Sequence, residues 1–244
     1  MSATMKSSFQ MFGVWCAIGY VVTLLVGWGL IAGFLPATPP SANAAQIADL
    51  FAADYTRIRI GMLLLMVAAM VGIPFTAVLT QLLARIEGGA GVLAYSMLLG
   101  GVGSMVLTFY PAIWWLVAAF RPDRPAQLIY LMNDMAWLQF IGGVTLYLAM
   151  PFSCAAAALV DRSPKPVFPR WSGFVNIWLG LLVVPDQLLF FFHTGPFAWN
   201  GIFGFWVPVG AFSGFFIFNF LLLRAAIARE IATSSMASSR REFA

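Results

Sequence analysis

The residues that could carry chemistry in this chain are few, and the most conspicuous one interrupts an apolar run. Asp186 follows Pro185 within the segment "LLVVPDQLLFFFHTGPFAWNG", and His193, the single histidine, comes seven residues after Asp186. Seven residues return an α-helix to almost the same face, about 10 Å further along its axis. This spacing predicts that Asp186 and His193 face one site.

A second stripe of polar and aromatic residues precedes this segment. Tyr130, Asp134 and Trp137 fall at positions i, i+4 and i+7, which share one face of a helix. Asp186, His193 and Asp134 are the candidates for acid–base chemistry. We expect one ligand-binding site, assembled at one end of the molecule from the following residues: Asp186, His193, Asp134, Asn133, Trp137, Tyr130, Asn200, Arg57 and Arg59.

The elements that must position these residues are membrane helices. The chain is 61% hydrophobic and 9% charged, whereas soluble domains are about half apolar and a quarter charged. Apolar segments recur along the whole length, so residues 1–244 are predicted to form one all-α, polytopic transmembrane domain. A short amphipathic helix at 41–55 is expected to lie as a lid on the outer surface. The six predicted spans are 12–34, 60–83, 92–120, 127–160, 172–192 and 200–226, followed by a tail at 227–244.

The distribution of basic residues predicts the orientation. With the N-terminus inside, nine Lys and Arg residues are cytoplasmic and four are outside, which fits the excess of positive charge found in cytoplasmic loops. Both termini are then cytoplasmic, and eleven Arg against two Lys favour the inner membrane of a bacterium. The nine cytoplasmic residues are Lys6, Arg85, Arg162, Lys165, Arg170, Arg224, Arg229, Arg240 and Arg241.

The first apolar run also bears on the fate of the N-terminus. The following "SANAAQ" contains the Ala-x-Ala spacing that a signal peptidase recognises. The run is about 23 residues long, however, whereas the apolar region of a signal peptide has roughly 7 to 15. We therefore expect the first helix to be retained.

The length of the fourth span predicts where its polar residues lie. As one continuous helix, 127–160 would extend for about 51 Å, against a hydrocarbon core of about 30 Å. Asp134 would then lie about 39 Å from Val160, at the level of the outer headgroups, and Asp186 about 24 Å from Arg170, inside the hydrocarbon. A break at Gly142 and Gly143 is the alternative.

The inventory of side chains excludes several classes of site. One histidine cannot ligate a membrane haem on both faces or hold a di-iron centre. Cys16 and Cys154 are isolated, so buried reduced thiols are expected in place of a disulfide or a metal site. No cofactor and no metal are predicted. Nucleic acid is not an expected partner, because the basic residues are scattered among segment ends.

Two explanations account for Asp186. An ionisable side chain within the hydrocarbon costs about 2.5 to 3.5 kcal/mol on insertion scales, so it needs a partner or a function. It could pair with Arg57 or Arg59 and lock two helices together. Alternatively it is an unpaired acid or hydrogen-bonding anchor in a polar pocket next to the Pro185 kink.

Three functions are compatible with these residues. The first is binding or translocation of a small lipophilic or amphiphilic compound at a pocket in the outer leaflet. The second is metal-free catalysis by a membrane-embedded lipid isomerase or hydratase that uses Asp and His as acid and base. The third is a non-catalytic subunit of a larger membrane complex. Membrane lipids, a lipophilic small molecule and either a membrane-protein partner or a second copy of the chain are the expected partners.

The orientation can be tested by cysteine labelling. In a background without Cys16 and Cys154, a membrane-impermeant maleimide should label Ala45→Cys in intact cells. It should label Ser163→Cys only after the membrane is permeabilised. Labelling of Ser163→Cys in intact cells would reverse the predicted topology.

Overall fold

A computed structural model of the protein describes the backbone of residues 3–242 and the side chains of residues 8–229, 231 and 232. Within these limits the fold is all-helical, and six helical segments are long and apolar enough to cross a membrane. The predicted number of spans is confirmed. The side chains of Lys6, Arg240 and Arg241, which entered the charge count, lie outside the described residues. The six segments are Ser8–Ile31, Tyr55–Glu87, Val92–Phe120, Ala126–Val160, Arg170–Phe190 and Ile202–Arg229.

The spans are built from α-helices joined by segments of tighter or wider helix. The α-helices are α1 (Ala3–Leu24), α2 (Ala44–Ala53), α3 (Tyr55–Glu87), α4 (Val92–Phe120), α5 (Ala126–Phe140), α6 (Ala149–Val160), α7 (Arg170–Leu181) and α8 (Val207–Glu242). Four spans contain an irregular segment. These segments are the π-helical Leu25–Ile31 and Ile202–Trp206 and the 3₁₀-helical Gly142–Thr145 and Val184–Phe190.

The prediction of one continuous fourth helix is wrong. The helix breaks at Gly142–Thr145 and resumes as α6. A side chain at Gly142 would place its Cβ 2.6 Å from Cζ of Phe190, so the ring of Phe190 packs closely against this break. The carbonyl of Gly142 accepts a hydrogen bond from Nε2 of Gln187 at 2.8 Å. The depth of Asp134 therefore no longer follows from helix length and stays a prediction.

The short helix between the first two spans is confirmed as α2. Asn43 caps it: its Oδ1 accepts from the backbone N–H of Gln46 at 3.0 Å, and the Gln46 side chain accepts from the N–H of Asn43 at 2.9 Å. This reciprocal pair is a capping box. Ile47 and Phe51 are buried on the predicted apolar face, and α2 packs against α5. The helix thus covers one end of the bundle.

Helix α3 packs against α1 and α4. It approaches the first span closely at Gly27 and Gly61, where a Cβ on Gly27 would lie 2.9 Å from the carbonyl oxygen of Gly61. The two backbones are therefore in contact, as glycine permits between membrane helices. At Gly210, by contrast, an added Cβ would have no neighbour within 4 Å.

Gly61→Ala should separate the first and second spans. Its Cβ would lie 2.7 Å from the Cβ of Ala32, and overpacking of this kind costs about 1 to 3 kcal/mol. We expect the melting temperature in detergent to fall by several degrees. Gly210→Ala is the matched control, because the same methyl group meets no atom there. Equal melting curves for the two variants would contradict the close packing.

Candidate functional site

A small cavity lies in the middle of the bundle, against Asp186. Its volume is about 40 Å³, measured as space open to the centre of a water-sized sphere. One water needs about 10 to 15 Å³ on this measure, so the cavity has room for about three waters or a small polar group. We call it the Asp186 cavity. It is lined by Leu24, Trp28, Leu107, Thr108, Phe140, Ile141, Val144, Asp186, Pro208, Val209, Phe212 and Ser213.

The four irregular segments converge on this cavity. Trp28, Val144 and Asp186 each belong to one of them, and Pro208 follows the fourth, Ile202–Trp206, by two residues. The segment Val184–Phe190 contacts both Gly142–Thr145 and Ile202–Trp206. π-helical turns often occur at functional sites. The clustering of the irregular segments therefore makes the Asp186 cavity the candidate site.

The way in which α7 ends determines the position of Asp186. Pro185 has no N–H to continue an α-helix, and the chain tightens into the 3₁₀ segment, in which the N–H of Asp186 donates to the carbonyl of Val183 at 3.1 Å. The Asp186 side chain is 0% exposed. Its Oδ1 accepts from Nε2 of Gln187 at 2.7 Å, the same amide group that donates to Gly142. Its Oδ2 has no hydrogen-bond partner among the described side chains and backbone.

Trp28 contributes the complementary group. Its ring is fully buried, and its Nε1, a donor only, likewise has no acceptor within the described part of the chain. The hydroxyl of Thr108 also lies on the cavity wall but is already engaged. It donates to the carbonyl of Ser104 at 3.1 Å and meets the hydroxyl of Tyr20 at 2.6 Å. Two residues of the cavity wall, Asp186 and Trp28, thus carry one unused acceptor and one unused donor, and Thr108 and Ser213 are the other polar side chains of a mainly apolar wall.

The predicted register between Asp186 and His193 is wrong. The 3₁₀ segment ends at Phe190, and His193 lies in the irregular stretch beyond it with its side chain exposed. The two residues therefore do not share a helix face. His193 instead interacts electrostatically with Asp134, which is half-buried on α5. The three acid–base candidates divide into a buried Asp186 and a separate pair, Asp134 and His193.

The remaining residues of the α5 stripe pack into an aromatic cluster. We call it the tryptophan cluster, and Trp137 is its centre: its ring lies 5.9 Å from Trp28, 5.3 Å from Trp115 and 6.2 Å from Trp199, between ring centroids. Asn133 is 2% exposed and accepts from Nε1 of Trp115 at 3.2 Å. Tyr130 is half-buried at the start of the stripe. The other members of the cluster are Phe34, Phe140 and Phe205.

The tryptophan cluster closes one side of the Asp186 cavity, since Trp28 and Phe140 belong to both. Asp134 precedes Phe140 by six residues on α5, which places it about 9 Å further along the helix axis. The Asp134 and His193 pair therefore lies on the far side of the tryptophan cluster, away from the cavity. The residues predicted to form one site are thus divided between two places in the structure.

The two arginines cap helix ends and do not pair with Asp186. Arg57 donates to the carbonyls of Ile31 at 2.6 Å and Leu30 at 2.8 Å, where the first span ends. Arg59 donates to Ala119 at 2.9 Å and to Phe120 at 3.1 Å, where α4 ends. These carbonyls have no intrahelical donor, which explains two basic residues at this end of the bundle. Asn200 is half-buried in the turn before Ile202.

Sequence reasoning missed Trp28, Thr108 and Phe212 as cavity residues. A signal for Trp28 was present: it lies between two glycines in "VGWGL", a combination that weakens an α-helix and permits close packing. The sequence contained no such signal for Thr108 and Phe212, because each lies in an apolar span whose other residues are of similar type. Their place follows only from how α4 and α8 pack.

The fold is that of a helical bundle with six apolar spans, consistent with a multi-pass membrane protein, and its helices are interrupted around one buried carboxylate. No protein-family model, no curated protein and no solved structure matches the chain. The function is therefore argued from the site alone.

Asp186→Asn should leave the stability of the bundle nearly unchanged, because no ion pair is lost. We expect a shift in melting temperature below about 3 °C, which corresponds to about 1 kcal/mol in a chain of this size. Arg57→Gln should destabilise the first span by freeing its terminal carbonyls. The double variant should be additive within about 0.5 kcal/mol. Recovery of stability in the double variant would show instead that the two charges pair.

Proposed function

We propose that the protein binds a small amphiphilic compound in the Asp186 cavity, with a hydroxyl group held between Asp186 and Trp28. One observation carries the proposal: Asp186 and Trp28, whose Oδ2 and Nε1 have no partner among the described residues, both line one mainly apolar cavity. A buried polar group without a partner costs about 1 to 3 kcal/mol, so a native site needs something to satisfy both.

A hydroxyl group meets both requirements with one atom. Its O–H donates to the carboxylate, and its lone pairs accept from the indole N–H. An ammonium group would satisfy Asp186 but offers Trp28 no acceptor. A carboxylate would satisfy Trp28 but would place a second negative charge against Asp186. Alcohols and phenols are therefore the class that the polar groups favour.

The walls of the cavity indicate where the apolar part of the compound would lie. Leu24, Leu107 and Val144 are buried, whereas Val209 and Phe212 of α8 are half-exposed. The cavity volume of about 40 Å³ accommodates the polar head only. The tail would leave past α8 toward the lipid, so the compound would enter sideways from the bilayer.

Translocation is the further step of this proposal. It requires the site to open to a second side, and the interrupted helices around Asp186 are the elements that would move, as in transporters with discontinuous helices. The placement of the pocket in the outer leaflet of a bacterial inner membrane, with both termini cytoplasmic, belongs to the same proposal. It is supported by the charge distribution of the sequence.

The geometry favours binding over acid–base catalysis. A lipid isomerase or hydratase needs two titratable groups close to one substrate. Asp134 and His193 lie beyond the tryptophan cluster from Asp186, so the three do not face a common volume. The alternative of a non-catalytic subunit stays a prediction.

The proposal can be tested on the compounds that copurify with the protein. Purified from its native membrane in mild detergent and extracted, the wild-type protein should yield a hydroxyl-bearing lipophile in near-stoichiometric amount by mass spectrometry. Asp186→Asn should reduce the retained amount about 10-fold or more, as expected for loss of a hydrogen bond to a charged group, about 1.5 to 3 kcal/mol. Trp28→Phe should reduce it about 2- to 10-fold, as expected for loss of a neutral hydrogen bond, about 0.5 to 1.5 kcal/mol. Asp134→Asn is the control and should retain the compound. Equal retention in all three variants would contradict the assignment of the site.

A further inference from the structure

We propose a second site that binds the anionic headgroup of a membrane lipid. It lies at the end of the bundle opposite to α2. A recess of about 550 Å³ lies between the end of α3 and the loop that follows α6. Three basic side chains border it, and apolar side chains form its floor. We call it the basic recess and define it by Arg85, Arg162, Lys165, Leu82, Ile86 and Val160.

The charge of the recess is suited to an anion. Arg85, Arg162 and Lys165 are all exposed and come from two different parts of the chain. The one carboxylate of the recess, Asp161, accepts a hydrogen bond from the backbone N–H of Ser163 at 2.9 Å and so holds the turn after α6. Three cations against one carboxylate leave a net charge of +2. An anion placed among them would accept charge-assisted hydrogen bonds from Arg162 and Lys165.

The position of the recess favours a lipid as the source of that anion. Two apolar spans, Tyr55–Glu87 and Ala126–Val160, end here, so the basic side chains lie at the boundary where such spans leave the hydrocarbon. Leu82, Ile86 and Val160 continue the recess along the two spans. The phosphate of a lipid would bind the basic side chains at the rim, and its acyl chains would pack along the apolar floor. Basic pockets between membrane helices bind anionic lipids in this way.

Basic residues that served only to set the membrane topology would not need to border the same cavity. Here Arg85 of α3 and the pair Arg162 and Lys165 after α6 border the same volume. The recess is also independent of the Asp186 cavity, because the two share no lining residue. Failure of either proposal would leave the other standing.

Binding of short-chain lipids to the full-length protein tests the proposal. In detergent, native mass spectrometry should show tighter binding of dioctanoyl phosphatidylglycerol than of dioctanoyl phosphatidylcholine. At roughly fivefold per cation, we expect a preference of 10-fold or more. The triple variant Arg85→Gln, Arg162→Gln and Lys165→Gln should lose it. The matched control, Arg121→Gln, Arg170→Gln and Arg224→Gln, removes equal charge outside the recess and should keep it.

Two further measurements separate the remaining outcomes. Inorganic phosphate at millimolar concentration should not displace the phosphatidylglycerol; displacement would assign the recess to a soluble phosphate and overturn the lipid assignment. Lys165→Glu, an exposed loop substitution, covers the case in which the triple variant does not fold, and it should reduce the preference at least fivefold. An unchanged preference in Lys165→Glu and in the triple variant would overturn the proposal.

Discussion

The burial of one carboxylate without a counter-ion is the constraint on which the rest of the structure depends. Asp186 is 0% exposed among apolar spans, and its described hydrogen-bond partner is the amide of Gln187. An ionisable group in such a place costs a few kcal/mol, and packing alone does not offset that cost. The bundle brings polar groups and a small cavity to Asp186. Three of the four irregular segments contribute a residue to the wall of that cavity.

The interrupted helices then need their backbone groups satisfied. Gln187 links the two breaks, because the same Nε2 donates to Asp186 and to the carbonyl of Gly142. Arg57 and Arg59 serve the ends of the first span and of α4 by donating to terminal carbonyls. The tryptophan cluster seals the cavity on the side where α2 covers the bundle. Of the buried polar atoms that have no partner within the described residues, Oδ2 of Asp186 and Nε1 of Trp28 belong to residues that line this cavity.

The spans and α2 could be predicted from the sequence because their signals are local. Length, hydropathy and the Asn43 and Gln46 pair are properties of consecutive residues. The break at Gly142 and the position of His193 were not predictable in this way. Both depend on the approach of Phe190 and on how the 3₁₀ segment packs, which are contacts between distant parts of the chain. The importance of Asp186 was visible, since a carboxylate in an apolar run is costly wherever it lies. Its partners were not, because the arginines that seemed available are used for capping.

The environment of the Trp28 indole tests the account most directly. In protein labelled with ¹⁵N-tryptophan, the signal lost in Trp28→Phe assigns the Trp28 indole N–H. The account predicts that this proton shows cross-relaxation with water or with a bound hydroxyl compound, and that its chemical shift changes in Asp186→Asn but not in Asp134→Asn. A Trp28 indole proton that contacts only protein protons, with the same shift in both variants, would contradict a shared polar site between Trp28 and Asp186.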